Sequence, residues 1–277
     1  MAIPHRARFP AGSPELEWVL TDDGSRTLRH RVLDETFHSG CGALSETLVV
    51  YLDHSGVAER LHTGRATRVL EYGLGTCTAL LLTAALAEAC RVPLVYTALE
   101  LHLVSGDLVR GLGLVERIQQ ADLSECWPKA VPTWLTDHCF DALAPLQAEL
   151  AHWIDQLPPK PTGLLPRITS CQLGPQTTLE LWQGDAQGFP TQQKVDQDRE
   201  PVDAVYFDPF SPESCPELWT PAVYSTAFQA LRPGGSLVSY CVKGTVRREI
   251  SSVGFQTERL AGPAGGKREV LRAVRPQ

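Results

Sequence analysis

The segment Val202-Asp-Ala-Val-Tyr-Phe-Asp208-Pro-Phe-Ser-Pro212 places a carboxylate at the end of an apolar run. A buried strand there would carry Asp208 to its carboxyl end, where open α/β sheets hold ligands. The prolines stiffen the turn that follows, and Phe210 offers a flat apolar wall. An N-cap role for Asp208 toward a helix starting at Pro221 fails on distance along the chain. Upstream, Glu71-Tyr-Gly73-Leu-Gly75-Thr76-Cys77-Thr78 sits between a strand and a helix pattern. Glycines there let backbone approach a ligand closely, and a helix N-terminus behind them favours negative charge. A dinucleotide fingerprint needs Gly or Ala where Thr78 stands; a purely structural tight turn is the other reading. Glu100 closes Tyr96-Thr-Ala-Leu-Glu100, where a carboxylate accepts both hydroxyls of a ribose. Asp185 follows Leu181-Trp-Gln-Gly, where it could receive an adenine amino group. Singly each acid reads as a loop acid or a helix cap. Both after strands, downstream of the glycine turn, favour a ligand.

These residues need strands to carry them, and the pattern supplies strands from residue 67 onward. Arg68–Tyr72, Pro93–Leu99, Leu179–Gln183, Val202–Phe207 and Gly235–Cys241 read as strands. Helices are expected over Thr76–Cys90, near Leu103–Leu112, over Pro221–Leu231 and over Val246–Val253, with Phe255–Leu260 and Glu269–Val274 as a closing pair of strands. Strands alternating with helices predict a mainly parallel sheet with helices on both faces, and a final hairpin leaves an antiparallel edge. Before this, Leu16–Leu20 and Arg26–Val32 flank the Asp-Gly turn of Thr21-Asp-Asp-Gly-Ser25, and Gly42–Ala58 has helical apolar spacing that ends at Gly56. The expected division is an extension, residues 1–60, packed on a domain of residues 61–277. Residues 124–170, rich in Trp and Pro with one helix near Asp137–Leu157, are too long for a plain connection and are expected to cap the site. Residues 186–200 read as a polar loop.

Composition bounds the rest. The 277 residues carry 25 Lys+Arg against 32 Asp+Glu, a formal charge of −7, with 43% hydrophobic residues, which is ordinary globular material. The longest apolar stretch, Ala79–Ala87, is far short of the roughly 20 residues of a bilayer span. No apolar run follows the basic N-terminal residues, so no secretory signal, a cytoplasmic location and no membrane partner are expected. The eight cysteines are scattered without a C-x-x-C pair, predicting neither a metal nor a structural disulfide.

The spacing Glu71-x-Gly73-x-Gly75-Thr76-Cys77 is similar to the S-adenosylmethionine loop E-x-G-x-G-T-G, with Cys77 in place of the third glycine. The Asp208-Pro-Phe210 turn is similar to the one with which amino-methyltransferases hold an amine. Together with Thr21-Asp-Asp-Gly-Ser25, His38-Ser-Gly-Cys-Gly-Ala-Leu-Ser-Glu46, Glu217-Leu-Trp219 and Gly266-Lys-Arg-Glu269, these motifs make the chain resemble the tRNA 5-aminomethyl-(2-thio)uridine methyltransferases, the methyltransferase half of MnmC proteins and their stand-alone relatives. The resemblance runs from about Leu20 to Val274. It implies a Rossmann-like class I methyltransferase fold with a seven-stranded sheet, S-adenosylmethionine as cofactor, and methyl transfer to the primary amine on a wobble uridine. By position Glu46, Glu71, Gly73, Gly75, Thr76, Glu100 and Asp185 would hold the cofactor, and Asp208 and Phe210 would face the amine. No flavin is expected in this chain, because the oxidase half of the bifunctional proteins has no counterpart here. A separate flavin oxidoreductase would supply the amine.

A tRNA anticodon arm needs cations despite the acidic total. Residues 243–277 hold eight Lys and Arg against three Glu, and among them Arg247, Arg248, Lys267 and Arg268 are the candidate phosphate contacts. Arg26, Arg29, His30 and Arg31 form a second basic group; solvated faces are the plainer reading of both. Asp208 is expected to orient the amine and steady the forming ammonium. The rival functions are a polyamine-type aminopropyltransferase, a small-molecule N-methyltransferase, and a degenerate cofactor- or RNA-binding protein. The first would want an acid-rich groove, and the sequence shows no such cluster beside Asp208.

Overall fold

The computed structural model describes residues 6–120, 134–158, 166–189 and 200–277, without the side chains of 120 and 134–140. Two sheets build it. The first is an antiparallel meander of β1 (Arg8–Pro10), β2 (Leu16–Leu20), β3 (Arg26–His30) and β4 (Glu35–Thr36). The predicted hairpin sets its register, with Trp18 opposite Leu28 and Gly24 in the turn at φ +79°.

The Thr21–Ser25 turn does more than reverse the chain. Asp23 accepts hydrogen bonds from the Ser45 N–H (2.9 Å) and hydroxyl (2.8 Å), while the Ser25 hydroxyl accepts from the Ala43 and Leu44 amides at 3.1 and 3.2 Å. Those amides open α1 (Ala43–Glu46), whose own N-cap is Gly42 and supplies no side chain. The turn therefore satisfies the helix's orphan donors from a distance. The helix runs on into a buried π-helical stretch, Thr47–Asp53, and α2 (Val57–His62) restarts after left-handed Gly56. The helical spacing expected to end at Gly56 does end before it, as one α turn continued by a π-helix, and α2 is a separate helix beyond.

The second sheet has β5 (Thr67–Tyr72), β6 (Leu94–Glu100), β7 (Arg167–Gln172), β8 (Thr177–Gln183), β9 (Val202–Phe207), β10 (Leu231–Ser239), β11 (Gln256–Ala261) and β12 (Glu269–Val274). Their order is β11-β12-β10-β9-β5-β6-β8-β7. The five strands from β10 to β8 are parallel, and β12, β11 and β7 are antiparallel additions. Along the central strands, side chains alternate between two cores: Val69, Ala98, Ala204 and Tyr206 face one, and Leu70, Leu99, Val205 and Phe207 the other. That alternation is the period-2 geometry of a sheet covered on both faces. The first core takes in α2, α3 (Thr78–Cys90), α4 (Gly106–Arg110), α5 (Leu114–Gln120) and α6 (Trp134–Gln156). The second takes in α7 (Pro221–Ala230), capped by the Thr220 hydroxyl, and α8 (Gly244–Ser252).

Two expectations change. The sheet has eight strands among the described residues rather than seven, because β7 was read as part of the insertion; its alternating half-exposed pattern is that of an edge strand with a weak sequence signal. The insertion is also no cap in its described parts. The α6 helix packs on α3 and α4, the Gln147 amide donates to the Val109 carbonyl (2.7 Å), and β7 extends the sheet. The part of the insertion at 121–133 and 159–165, and most of the loop at 186–200, lie outside the described residues.

Candidate active site

A cavity of about 780 Å³ opens at the carboxyl ends of β5, β6, β8 and β9 and is closed by residues of the first sheet. It lies at the topological switch point, where β5 has β6 on one side and β9 on the other. The N-terminal meander covers the cavity through His30, Leu33, Glu35 and Phe37.

All nine residues expected to face cofactor or amine line this one cavity: Glu46, Glu71, Gly73, Gly75, Thr76, Glu100, Asp185, Asp208 and Phe210. On the glycine loop, Gly73 sits at φ +85°, and a Cβ there would come within 2.7 Å of the Asp208 carbonyl oxygen. Gly75, at φ +54°, donates its N–H to a Glu100 carboxylate oxygen at 3.0 Å. The other Glu100 oxygen accepts from the His102 N–H at 2.7 Å. Cys77, the departure from the expected pattern, occupies a left-handed conformation at φ +67° with its side chain fully buried. This is a conformation that favours glycine, so the substitution leaves the loop's path in place but strained. As N-cap of α3 it makes no side-chain cap bond.

The donor set fits S-adenosylmethionine. Each Glu100 oxygen holds one backbone amide and keeps lone-pair capacity for ribose hydroxyls. Asp185 is exposed at the mouth, capping the short turn Ala186–Gly188 through the Gln187 amide at 2.9 Å. The Thr76 hydroxyl is spent on that of Thr78, 2.7 Å away, so its place in the loop rests on backbone.

The other half of the cavity is acidic. Glu46 is buried, accepts the Ser39 N–H at 2.6 Å, and has its pKa raised by burial. Glu71 is held by the Tyr96 hydroxyl at 2.9 Å; burial, then the charge of Asp208, push its carboxyl well above the usual range. Burial, then the charge of Glu46, do the same to Asp208, whose accessible surface faces the cavity. Glu35 lines the same space. The sequence reading found no acidic cluster beside Asp208, and the structure corrects it: four carboxylates from four separate segments converge there. No local pattern joins them, because they meet only through packing of the two sheets. Phe37 and Tyr240 are further lining residues that the sequence reading missed. Phe37 meets Phe210 edge to face, with centroids 5.0 Å apart, and its only sequence signal is its place just before the His38–Glu46 motif.

The basic residues divide. In the hairpin group, Arg29 pairs with Glu17 and Asp34, Arg31 reaches Glu17, and Arg26 donates to the Gly111 carbonyl. Near the C-terminus, Lys243, Arg259 and Arg272 are ion-paired to Glu213, Glu269 and Glu258, and Arg275 is spent on main-chain carbonyls. Among the described residues, Arg247, Arg248, Lys267 and Arg268 form no ion pair. Lys267 lies over the Tyr240 ring, 3.9 Å from its centroid, and lines the cavity itself. No described cluster of three or more His, Cys, Asp or Glu is placed to hold a metal, and no described helix is long and apolar enough to cross a membrane.

This strand order, with a glycine loop and an acid at consecutive strand ends, is that of the class I S-adenosylmethionine-dependent methyltransferase fold. Residues 148–276 match a family described as S-adenosyl-L-methionine-dependent methyltransferase. That match covers somewhat under half of the chain. Its fold is similar to that of MnmC2 from Aquifex aeolicus, with TM-score 0.64 and 22% identity over 96% of this chain and 72% of that one. Weaker likenesses include TrmN from Thermus thermophilus, with TM-score 0.37, 14% identity, and 80% and 48% covered. Human methyltransferase-like protein 13 gives TM-score 0.42, 11% identity, and 86% and 83% covered.

Proposed function

We propose that the chain methylates a primary amine, the aminomethyl group on a wobble uridine of tRNA. The observation that carries this reading is the acidic chamber at the Asp208 turn, with Phe210 and Phe37 beside it. Carboxylates attract a cationic amine, and an apolar ring edge suits the flat base that bears it. Bound S-adenosylmethionine supplies an electrophilic methyl group on a sulfonium. Glu100 and Asp185 would hold its adenosine end, with the glycine loop and Glu46 beside it.

An alkyl amine with a lysine-like pKa of about 10.4 is only about one part in a thousand neutral near pH 7. A dry pocket depresses the amine pKa, whereas an ionised Asp208 raises it. Asp208 therefore orients the amine and steadies the ammonium that forms. Positioning supplies much of the acceleration.

The unpaired Arg247, Arg248, Lys267 and Arg268 would meet the phosphates of the anticodon arm. In this reading residues 1–60 close the site, residues 61–277 form the methyltransferase domain, the reaction takes place in the cytoplasm, and a separate flavin oxidoreductase makes the amine. The acidic lining also favours a second reading, a small cationic amine as acceptor. Methyl incorporation into tRNA lacking the modification, followed by nucleoside analysis, decides between them. Methylated 5-aminomethyluridine supports the tRNA reading; label in a free polyamine and none in tRNA sinks it.

A further inference from the structure

The turn that carries Asp208 and Phe210 is held from two sides. From one side, the Tyr240 hydroxyl, just past β10, donates to the Pro209 carbonyl at 3.0 Å, and the Trp219 indole N–H, before α7, to the Phe210 carbonyl at 2.7 Å. From the N-terminal sheet, one Glu35 oxygen accepts the Ser211 N–H at 2.7 Å and the other accepts the Ser211 hydroxyl at 3.0 Å. Glu35 stands opposite His30 in the β3–β4 ladder, and the Phe37 N–H extends that ladder by donating to the Leu28 carbonyl at 2.8 Å. Residues 35 and 37 therefore share one face of the strand. Glu35 grips Ser211 and Phe37 packs on Phe210, so two alternate residues of one strand hold two consecutive residues of the turn.

We propose that Glu35 is a positioning residue for methyl transfer, clamping Ser211 so that Asp208 and Phe210 face the acceptor. The inference rests on the assignment of this turn to the acceptor in the proposed function. Glu35 has no need to touch the acceptor. Its geometry is that of a two-point carboxylate grip, which fixes direction as well as distance. The contact spans 176 positions of sequence and joins the N-terminal sheet to the turn after β9. The N-terminal meander is thereby part of the catalytic geometry and not only a cover.

The test compares Glu35→Ala and Glu35→Gln with the wild type, measuring methylation kinetics on unmodified tRNA, S-adenosylmethionine affinity, and amide hydrogen exchange of the segment 207–219. The glutamine keeps an oxygen for the Ser211 amide and an N–H for its hydroxyl while losing the charge. The expected result for Glu35→Ala is faster exchange at Ser211, kcat/KM for the acceptor lowered tenfold or more, and cofactor affinity within twofold of wild type. Glu35→Gln should recover both exchange and kcat/KM to within about threefold. Unchanged exchange in Glu35→Ala overturns the clamp whatever the substrate is. Wild-type kinetics in Glu35→Ala, or a glutamine variant as slow as alanine, overturns the positioning role. A wild type that leaves tRNA unmethylated defeats the proposed function instead, and exchange still decides the clamp.

Discussion

The Gly75 amide and the Glu100 carboxylate meet at 3.0 Å, tying the glycine loop after β5 to the end of β6. One side chain thus sets the loop's position and offers its remaining acceptor capacity to a ribose. Loss of Glu100 should therefore loosen cofactor binding through both effects. Glu100→Ala is expected to weaken S-adenosylmethionine by about 1.5–3 kcal/mol, the range for hydrogen bonds to a charged group. Calorimetry on the folded variant checks this, and unchanged affinity removes Glu100 from the site.

At Cys77 the strained backbone and the buried thiol pull in opposite directions. Cys77→Gly relieves a left-handed residue, worth about 1 kcal/mol, and gives up the packing of a small buried side chain. Stability should change by less than about 1 kcal/mol and cofactor affinity by less than twofold. A collapse of binding would show that the thiol itself shapes the loop.

Asp208 should separate chemistry from cofactor binding. Asp208→Asn keeps the shape without the charge that steadies the forming ammonium, and Asp208→Ala removes the hydrogen bond as well. Turnover is expected to fall about tenfold to a thousandfold, the scale of one positioned polar group, with Ala worse than Asn. Cofactor affinity should hold, since Glu100 and Asp185 are untouched. Normal turnover in Asp208→Ala ends the catalytic assignment.

For the RNA surface, Arg247→Glu with Arg248→Glu should weaken tRNA binding and flatten its dependence on salt. The α8 helix that carries them lies apart from the lining of the cavity, so S-adenosylmethionine affinity should stay the same. A tRNA affinity insensitive to salt and to both changes favours the small-amine reading.

His38 gives a signed pH dependence. Burial lowers its pKa to about 4 from 6.5, and its Nδ1 lies 2.9 Å from the Thr27 hydroxyl. The folded state keeps the ring neutral, so between pH 6.5 and 4 the unfolded chain binds more protons and stability falls as pH drops. The loss is on the order of 3 kcal/mol across that window. The raised carboxyls of Glu71 and Asp208 act in the opposite direction, so the measurement is the difference between wild type and His38→Gln. Thermal melts at pH 4.5 and 7 should show a smaller acid loss in the variant; equal losses would place the titration elsewhere.

The sequence by itself determined the parts whose chemistry is local. A strand, a glycine turn and a helix in succession fix where Gly73 and Gly75 go. A run such as Val202–Phe207 brings Asp208 to a strand end whichever neighbours it pairs with. The order of strands and helices was enough for a doubly wound sheet, and the motifs named Glu46 and Glu100 by position. Tertiary structure alone decided what depends on contacts between distant segments. The β7 strand is an edge whose half-exposed pattern resembles a loop, so only pairing with β8 defines it. The covering of the site by the N-terminal meander depends on Glu35 and Phe37 finding Ser211 and Phe210 across 176 and 173 positions. The acidic chamber also exists only after folding. Its acids are ordinary in the sequence, and packing buries Glu46, Glu71 and Asp208 near one another.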